Sequence, residues 1–436
     1  MIMSAPKTGH WHVHDILQHG SKIVMSSSRP MVLNVVTASC TVRALQGQLP
    51  YLRDRGFDVV VISSAGKNLE AASVEGVTTI EMPMARDIAV LSDLVTLWCL
   101  YRVMRALRPT ITNVGTPKAG LLGGIAAWLS GVPCRFFTLR GLRFETTKGL
   151  MRWILVGADH LSCRLAHRVV CVSKSLRDKA LASGLTSPEK AVVLGSGSSN
   201  GVDVSHFETT PLMTGRAPEL RSKLGIPSLA PVVGFVGRLT RDKGIPELVK
   251  AFLQLSHQFP DLRLLLLGLF EDEDPLPGEI RKCLQEHRHV ILAGLIDDPA
   301  PYYAAMDVLV LPSHREGLPN VVLEANAAGI PVAAARATGT VDVVIHGETG
   351  LLFPVGDGAG LAEAVRMLLT DKVLAAKLAQ GARDRVLREF RQEQVWEALS
   401  QEYLRFLRTR GLPLPMTHRQ KGAVERPFGN ITSETY

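Results

Sequence analysis

Two carboxylates lie close together in the second half of the sequence, on either side of a predicted helix start. Glu316 belongs to a polar loop at 313–317, and Glu324 follows eight residues later, about one turn inside the helix. The helix is predicted to open at Pro319 and to stop at Gly329, the places that proline and glycine favour at helix ends. Both carboxylates are therefore expected to face one ligand lying across the helix N-terminus.

The same helix start also supplies backbone donors. We expect the amides of Gly317, Leu318, Asn320 and Val321 to point towards that ligand, with a partial positive charge behind them. Such amides suit a diphosphate, whereas the carboxylates suit sugar hydroxyls, because a carboxylate accepts hydrogen bonds from neighbouring OH groups. A nucleotide sugar combines both groups. The simpler alternative is that the two acids only complement the helix dipole.

Two cations follow a predicted strand at 232–237, in the segment GRLTRDKG. Arg238 leaves the carboxyl end of that strand, and Lys243 comes just before a helix that starts at Pro246. An arginine fork and a lysine point charge can together clamp a diphosphate. The alternative is a solvated turn, which is the interpretation we adopt for Arg241.

The elements that must position these residues form a repeating pattern from residue 31 onwards. Short apolar runs alternate with helical periodicity, which predicts βαβ units and mainly parallel sheets. In such open sheets, ligands bind at the carboxyl edge of the strands. The predicted strands are 31–37, 58–64, 110–114, 132–138, 168–173, 191–194, 232–237, 262–268, 290–294, 307–311 and 332–335.

A chain of 436 residues predicts two domains. A faint echo between 117–137 and 319–335, each a proline-started helix followed by a glycine, a proline and a strand, fits two similar α/β domains. The predicted segments are a disordered extension at 1–30, an N-terminal Rossmann-like domain at 31–200, a loop-rich linker at 201–230, a C-terminal Rossmann-like domain at 231–390, a helix at 391–410 packing back on the first domain, and a tail at 411–436.

The cysteines and the apolar runs predict the compartment. The six cysteines are scattered and form no CxxC, which favours a reduced, cytoplasmic protein without a zinc site or a disulfide framework. The first residues lack the apolar region of a signal peptide, and no apolar run reaches the roughly 20 residues of a membrane span. The acidic run at 271–274 is interpreted as an exposed loop, so no metal is expected.

The net charge of +8 is unevenly distributed along the sequence. Residues 1–200 carry 23 Lys and Arg against 12 Asp and Glu, a net +11, and the remaining residues have a net charge of −3. A basic first half favours an acidic partner such as an anionic membrane surface or a phosphorylated substrate, and no nucleic-acid-binding motif is present. The basic residues that could meet a membrane or a lipid-diphosphate partner are Arg102, Arg105, Arg108, Arg135, Arg143, Lys148, Arg152 and Arg164.

Together these segments resemble a known family. GRLTRDKG, PSHREGLPNVVLEANAAGIPV and ATGTVDVVIHGETGLLF resemble the family 4 retaining glycosyltransferases of the GT-B fold. QGQLPYLRDRGFDV, TPKAGLLGGIAAWLSGVP and FTLRGLRFET are similar to its bacterial polysaccharide branch, and the resemblance covers about 31–408. It implies two Rossmann-like domains facing each other across a cleft. The implied reaction moves a sugar from a nucleoside-diphosphate sugar to a glycan or polyprenyl-diphosphate acceptor. The resemblance to this branch is what implies a uridine nucleotide in the donor.

The resemblance also implies roles for individual residues. Arg238 and Lys243 would bind the donor diphosphate, Glu316 the donor sugar and Glu324 the ribose. The other implied donor-binding residues are Gly237 after the strand 232–237, Leu295 and Ile296 near the base, and Gly317, Leu318, Pro319, Asn320 and Val321 at the helix start. The implied residues on the N-terminal side of the cleft are Gly47 and Lys118. No cofactor is expected, because the nucleotide sugar is a substrate and the family needs no bound metal.

One departure from the family pattern concerns the proton acceptor. Many members carry a histidine in the first domain where this chain reads Thr138-Leu-Arg140-Gly141. Arg140 stays protonated and cannot act as a base, but it can bind a phosphate. In a front-side retaining reaction the departing phosphate oxygen can take the proton of the acceptor, so no protein base is required.

Two other functions are compatible with parts of this pattern. A nucleotide-sugar epimerase can share the fold and would convert the donor without an acceptor. A two-lobed sugar-binding protein of the transport type would carry a secretory signal and no diphosphate clamp, the opposite of what the sequence predicts. The expected location of the enzyme is the cytoplasm, either free or attached peripherally to the inner face of the plasma membrane.

Overall fold

The molecule contains two parallel β-sheets, each flanked by helices. The structure, a computed structural model, describes residues 10–12, 29–85, 89–208, 211–272 and 274–415, with the backbone alone at residue 10 and at 211–216. Most of the predicted extension at 1–30 and of the tail at 411–436 therefore lies outside the described residues.

The first sheet has eight described strands in the order β1-β4-β3-β2-β5-β6-β7-β8. The pairings that run from β1 through β6 are all parallel. The strands are β1 (His10–His12), β2 (Met31–Val35), β3 (Asp58–Ser63), β4 (Thr78–Glu81), β5 (Ile111–Gly115), β6 (Cys134–Leu139), β7 (Arg168–Cys171) and β8 (Ala191–Val192).

The second sheet has six described strands in the order β11-β10-β9-β12-β13-β14, and all of its pairings are parallel. Its strands are β9 (Val232–Val236), β10 (Arg263–Leu267), β11 (Val290–Gly294), β12 (Val308–Leu311), β13 (Val332–Ala335) and β14 (Leu351–Phe353).

Most of the helices lie between successive strands and the last three follow β14; two single 3₁₀ turns lie at Arg43–Leu45 and Arg143–Glu145. The helices are α1 (Ser39–Val42), α2 (Gln48–Asp54), α3 (Lys67–Val74), α4 (Val90–Leu107), α5 (Pro117–Leu129), α6 (Gly149–Leu165), α7 (Lys174–Ala182), α8 (Val204–Phe207), α9 (Pro211–Lys223), α10 (Ile245–Ser256), α11 (Gly278–Glu286), α12 (Ala300–Ala304), α13 (Asn320–Ala327), α14 (Thr340–Val343), α15 (Gly358–Thr370), α16 (Lys372–Glu389) and α17 (Gln392–Thr409).

Both faces of the second sheet are buried, which explains its continuous apolar strands. Val308 and Val310 of β12 belong to one core cluster, whereas Leu309 and Leu311 belong to the other. This alternation follows from the two-residue period of a strand, and burial on both faces is typical of parallel sheets covered by helices.

The strand order reverses once in each sheet, as in doubly wound folds. In the second sheet the chain runs outwards from β9 to β11 and then returns to the other side of β9 as β12. In the first sheet the same reversal separates β2 from β5. The two segments that echo each other in sequence therefore occupy equivalent places: α5 connects β5 to β6, and α13 connects β12 to β13.

Contacts divide the described chain into two compact units. One comprises the described residues up to Thr138, together with Ala158–Val169 and those from Trp396 onwards, and the other comprises Leu139–Gly157 and Val170–Val395. Within the first unit, the fully buried Tyr403 of α17 meets the ring of Phe136 edge-on at 4.9 Å. The predicted domain boundaries stay predictions.

Several elements differ from the sequence predictions. The segment at 201–230, predicted to be loop-rich, contains α8 and α9, although Pro218 lies inside α9. Strands β1, β4 and β14, which have only three or four residues each, are not among the strands predicted from the sequence. None of the described helices has the length and apolarity needed to cross a bilayer.

Candidate active site

The strand reversal of the second sheet brings two polar loops together. β9 ends at Val236 and is followed by Gly237 and Arg238, while β12 ends at Leu311 and is followed by the loop at 312–317. β9 and β12 are hydrogen-bonded neighbours, so their carboxyl ends lie at the same edge of the sheet. This is the place where doubly wound sheets bind ligands.

Gly244 allows the two loops to approach each other closely. It is the N-cap of α10 and has a φ of +71°, a left-handed conformation that favours glycine. A Cβ atom at this position would lie 2.1 Å from the carbonyl oxygen of Pro312. The close contact places the preceding residue, Lys243, beside the loop that follows β12.

Lys243 and Glu316 form an ion pair at the centre of this edge. The distance from Lys243 Nζ to Glu316 Oε1 is 2.6 Å, and the two side chains are only 18% and 14% exposed. The backbone amide of Glu316 donates to the carbonyl of Thr338 at 3.0 Å, which fixes the loop that carries the carboxylate. The structure therefore brings together two of the residues that the sequence predicted to share a ligand.

Arg238 lies in the same network but has different acidic partners. Its Nη1 donates to Glu271 Oε2 at 2.8 Å, and its Nη2 lies 3.6 Å from Asp242 Oδ2. Burial would lower the pKa of Arg238, but the hydrogen bond to Glu271 and the charges of Asp242 and Glu316 outweigh it and raise the pKa. The Arg238 side chain is 45% exposed, so part of it remains open to a ligand.

Asp242 joins the two loops and was not singled out in the sequence. Its Oδ1 accepts from Thr240 Oγ1 at 2.6 Å, its Oδ2 accepts from Arg315 Nη2 at 2.9 Å, and its carbonyl accepts from the amide of His314 at 2.9 Å. Burial would raise the pKa of Asp242, but the hydrogen bond from Thr240 and the neighbouring cations lower it. Its charge therefore holds both cationic loops in place.

Gly317 is enclosed by backbone on several sides. A Cβ atom here would lie 2.0 Å from the carbonyl oxygen of Arg140. The Gly317 carbonyl accepts from Ser173 Oγ at 2.7 Å, and a Cβ on Gly339 would approach it to 2.3 Å. Arg140, predicted to take part in catalysis, is thus next to the loop that carries Glu316.

The segment that follows Arg140 makes two further contacts with the same loops. Glu145 Oε2 accepts from Thr338 Oγ1 at 2.9 Å, and Thr146 Oγ1 accepts from Arg315 Nε at 2.8 Å. The second carboxylate oxygen of Glu145 is buried and has no hydrogen-bond partner among the described residues. Glu145 was not among the site residues predicted from the sequence. Its charge within the FTLRGLRFET segment is the feature that could have indicated it.

Helix α13 begins one residue later than predicted, at Asn320, with Pro319 as its N-cap. Glu324 lies in this helix and accepts from the hydroxyl of the fully buried Tyr303 at 2.7 Å. A shared ligand for Glu324 and Glu316 stays a prediction.

The remaining predicted donor-binding residues differ in burial. Leu295 is 70% exposed just beyond β11, whereas Ile296 is partly buried against the core cluster of the second sheet. Leu318 and Val321 are partly buried against the same cluster. Part of each of these side chains is therefore committed to packing, and Leu295 is the one most open to a ligand.

The two residues predicted for the N-terminal side of the cleft belong to the first unit. Gly47 is the N-cap of α2, with a φ of +76°, and a Cβ on it would lie 2.4 Å from the ring of Trp396. Lys118, in the first turn of α5, forms an ion pair with Asp93 at 2.7 Å. Packing and charge neutralisation account for both residues, and their predicted roles stay predictions.

The acidic run at 271–274 takes part in the cationic network. Glu271 binds Arg238, and Asp274 Oδ2 accepts from the amide of Asp242 at 2.7 Å. Within the described part of the chain, no group of three or more His, Cys, Asp or Glu side chains is arranged to hold a metal ion. Glu271 and Asp274 of this run are therefore partners of the neighbouring loop.

The site balances three cations against three carboxylates. Arg238, Lys243 and Arg315 face Asp242, Glu271 and Glu316. An entering dianion would compete with the carboxylates for the cations, and the released Glu316 could then accept from hydroxyls of the same ligand. The arrangement therefore suits a ligand that carries phosphate and hydroxyl groups next to each other.

Comparisons with known proteins agree with this interpretation. The family model described as glycosyl transferases group 1 matches residues 217–385, and the glycosyl transferase 4-like domain matches residues 41–197. The capsular polysaccharide biosynthesis glycosyltransferase CapM of Staphylococcus aureus is 36% identical over 86% of this chain and 97% of its own length. An Escherichia coli UDP-Gal:alpha-D-GlcNAc-diphosphoundecaprenol alpha-1,3-galactosyltransferase is 27% identical over 78% of this chain and 87% of its own length.

Solved structures show the same fold. Anabaena HepE in complex with UDP-glucose superimposes with a TM-score of 0.72 at 20% identity, over 86% of this chain and 99% of that one. A sucrose-phosphate synthase from Thermosynechococcus elongatus gives a TM-score of 0.72 at 22% identity, over 87% and 100%. The fold and the charged edge define a GT-B sugar-transferring enzyme. The chain belongs to the glycosyltransferases of group 1 with a family 4-like first domain, which confirms the resemblance, the fold class and the enzyme class predicted from the sequence.

Proposed function

We propose that this enzyme transfers a sugar, with retained configuration, from a nucleoside-diphosphate sugar to a lipid-linked glycan acceptor in polysaccharide biosynthesis. The observation that carries the proposal is the Lys243–Glu316 pair, 2.6 Å apart, at the strand reversal of the second sheet. Lysine suits the donor diphosphate and glutamate suits the donor sugar, and the two are side by side. The activities for which the Staphylococcus aureus and Escherichia coli relatives are named support a polysaccharide product and a diphosphate-linked acceptor.

A uridine nucleotide is the donor that we infer. The Escherichia coli relative is named for UDP-Gal, and HepE was solved with UDP and with UDP-glucose. The base would lie near Leu295 and Ile296, which follow β11, and the ribose would lie near Glu324. The diphosphate would lie against the start of α13, whose first amides provide a partial positive charge.

Catalysis would be mainly electrostatic. Negative charge grows on the nucleoside diphosphate as the bond to the sugar breaks, and Arg238 and Lys243 would stabilise that charge. The carboxylates that now hold these cations keep them in position before the donor arrives, so that little reorganisation is needed during the reaction. Glu316, once released from Lys243, would orient the sugar through its hydroxyls.

The proton of the acceptor hydroxyl would pass to the departing phosphate oxygen. Arg140 lies beside Gly317 and would bind that phosphate or the phosphate of the acceptor. We expect Arg140→Ala to abolish transfer and Arg140→His to retain part of it. Normal turnover by Arg140→Ala, measured as nucleoside diphosphate release in the presence of acceptor, would remove Arg140 from the mechanism.

The decisive experiment starts with the purified chain and a panel of nucleotide sugars. A bound donor raises the thermal midpoint by mass action, so the panel identifies the donor. The selected donor is then incubated alone and with a polyprenyl-diphosphate-linked acceptor. Sugar transfer only with acceptor, with the anomeric configuration of the donor preserved in the product, is the expected result.

Two outcomes would contradict the proposal. Conversion of the donor into a different nucleotide sugar without any acceptor would indicate an epimerase. Absence of any midpoint shift with all nucleotide sugars would contradict the donor site at the Lys243–Glu316 pair. A Lys243→Ala variant tested against the same panel serves as the control, because it should lose the midpoint shift while staying folded.

A further inference from the structure

Helix α4 presents an exposed apolar stripe to solvent. Leu91, Leu94, Val95 and Trp98 are 81%, 58%, 63% and 57% exposed. Their spacing of three, one and three residues places them on one face of the helix. The opposite face packs into the first unit through Leu100, Val103 and Met104 among others. The stripe is therefore not part of the core of this unit.

The stripe continues into two arginines with the same helical spacing. Arg102 and Arg105 follow Trp98 by four and seven residues and are exposed. Arg102 lies over the Trp98 ring, with its Cζ 5.7 Å from the ring centroid. No carboxylate pairs with either arginine among the residues that the structure describes. One face of the helix thus combines an apolar half that includes a tryptophan with a cationic half.

The charged residues of this helix that are exposed have one sign. The segment 94–108 contains no Asp or Glu, and it ends with the exposed Arg108. Asp93, at the start of the helix, is only 19% exposed and is neutralised by Lys118. A ligand that covers this face therefore meets apolar side chains and uncompensated positive charge.

This combination distinguishes between the possible occupants. A second copy of the chain would bring the same positive charges against themselves, which is unfavourable. An anionic bilayer matches both halves: tryptophan and leucine side chains enter the interface between headgroups and acyl chains, and arginines contact lipid phosphates. Of the 22 large apolar side chains that are exposed in the described residues, 12 lie between residues 90 and 161, so exposure of this kind is concentrated in this part of the chain.

Arg135 is an example of a basic residue whose side chain is used in internal hydrogen bonds. The sequence grouped it with the arginines that could meet a membrane partner, but its Nε donates to the Leu165 carbonyl and its Nη1 to the Val132 carbonyl. Burial lowers its pKa. Arg135 is therefore committed to the interior, whereas Arg102 and Arg105 are free to contact headgroups.

We propose that the face of α4 formed by Leu91, Leu94, Val95, Trp98, Arg102 and Arg105 binds the surface of an anionic phospholipid bilayer. The helix would lie parallel to the membrane plane, with its apolar half inserted and its arginines among the phosphates. This inference deepens the proposed function, because a polyprenyl-diphosphate acceptor is held in such a membrane. It names the surface and the lipid class, which the proposed function leaves open.

The test uses the full chain and vesicles of phosphatidylcholine, alone or mixed with phosphatidylglycerol, at low and at high salt. We expect sedimentation with the mixed vesicles at low salt, weaker sedimentation at high salt and little with phosphatidylcholine alone. Arg102→Ala with Arg105→Ala should weaken binding to the mixed vesicles about 30-fold, since each basic residue near an anionic surface contributes about a factor of five. Trp98→Glu should remove binding even at low salt.

Matched controls lie on α16 of the other unit. Val373 is 82% exposed, and Lys372 and Lys377 are exposed beside it. Val373→Glu, and Lys372→Ala with Lys377→Ala, change the charge to the same extent as the α4 variants, also at exposed positions of a helix, and should leave vesicle binding unchanged. Circular dichroism and the thermal midpoint verify that every variant is folded.

Three results would overturn this surface assignment. The first is equal binding of the α4 and α16 variants to mixed vesicles, and the second is no sedimentation of the parent chain with any vesicle. The third is a parent chain that forms a dimer and α4 variants that do not, which would identify this face as a contact between copies. The α4 variants should keep the parent rate with a short-chain, water-soluble acceptor and lose it with an acceptor embedded in vesicles. If the parent chain itself transfers no sugar to either acceptor, that result would instead contradict the proposed function.

Discussion

The two strand reversals share a topology but differ in their chemistry. At the reversal of the second sheet, the loops after β9 and β12 carry an interconnected set of charges centred on Lys243 and Glu316. At the reversal of the first sheet, the loops after β2 and β5 meet through two hydroxyls, with Thr37 Oγ1 and Thr116 Oγ1 2.7 Å apart. The nearby cation, Lys118, is already neutralised by Asp93.

This difference shows which properties the fold determines and which it leaves to the side chains. Both sheets place loops at a carboxyl edge where a ligand can bind, because strand order alone creates that edge. The chemical class of the ligand depends on the residues in those loops. Charged groups around β9 and β12 suit a diphosphate, and neutral hydroxyls between β2 and β5 suit an uncharged polar ligand.

Lys243→Ala, at the charged reversal, should have the largest effect. Removing one charge that stabilises the transition state typically lowers turnover on the order of 10²–10³-fold. The measurement is the initial rate of nucleoside diphosphate release with donor and acceptor. Arg241→Ala is the control, because Arg241 lies in the same turn and donates Nε to the carbonyl of Pro275 in an exposed bond. If Lys243→Ala turns over as fast as the parent, the charges at the second reversal are not needed for transfer, and the proposed difference between the two reversals is wrong.

Gly317→Ala tests whether backbone proximity holds the charged loop in place. The added methyl would lie 2.0 Å from the Arg140 carbonyl, so the two segments must move apart. We expect a loss of about 1–3 kcal/mol in the free energy of unfolding, typical of overpacking, together with loss of transfer.

Gly157→Ala is the matched control for Gly317→Ala. Gly157 lies inside α6, and a Cβ there meets nothing within 4 Å. The substitution should raise the free energy of unfolding by roughly 0.5–1 kcal/mol, because alanine favours helix more than glycine does. Urea unfolding measures both variants, and equal behaviour of the two would show that Gly317 tolerates a side chain.

Lys118→Met examines the first reversal. The two partners of the Lys118–Asp93 pair are only 11% and 19% exposed, and methionine keeps the apolar stem while removing the charge. Asp93 would lose its cationic partner, and the free energy of unfolding should fall by about 1 kcal/mol. Urea unfolding at neutral pH provides the measurement, and Lys118→Arg should restore most of the loss. An unchanged midpoint for the methionine variant would mean that the pair contributes nothing to stability.

The smallest expected effect concerns the pH dependence of stability near the charged loop. The hydrogen bond with Glu247, 3.1 Å from His314 Nε2, raises the pKa of His314 above its ordinary value of 6.5. Burial would raise the pKa of Glu247, but the hydrogen bond with His314 lowers it below 4.5. The stabilisation by His314 is therefore complete below pH 6.5 and is lost as the pH rises through the raised pKa, whereas that of Glu247 is lost at acidic pH.

His314→Gln should remove the histidine part of this dependence. Unfolding free energies measured between about pH 5.5 and 8 should fall with rising pH more steeply in the parent than in the variant. A parallel pair of pH profiles would show that His314 does not gain stability from Glu247.

Much of the charged site could be predicted from the sequence because its residues follow strand ends. The apolar runs predicted β9 and β12, and Arg238, Lys243 and Glu316 come within seven residues of those ends. Asp242 and Thr338 were missed, because a single acid in a turn or a lone threonine carries no pattern. Their importance arises from partners 73 and 193 residues away in sequence, Arg315 and Glu145.

The sequence by itself determined most of the alternation of strands and helices and the loops that carry the charges, because side-chain periodicity and turn residues act locally. Only the tertiary structure decided which charges pair, with Lys243 on Glu316 and Arg238 on Glu271. It also decided that Leu94 and Trp98 of α4 face solvent, although their helical spacing is that of a core stripe. Pairing and exposure depend on neighbours that long-range strand order brings together, and no local pattern encodes those neighbours.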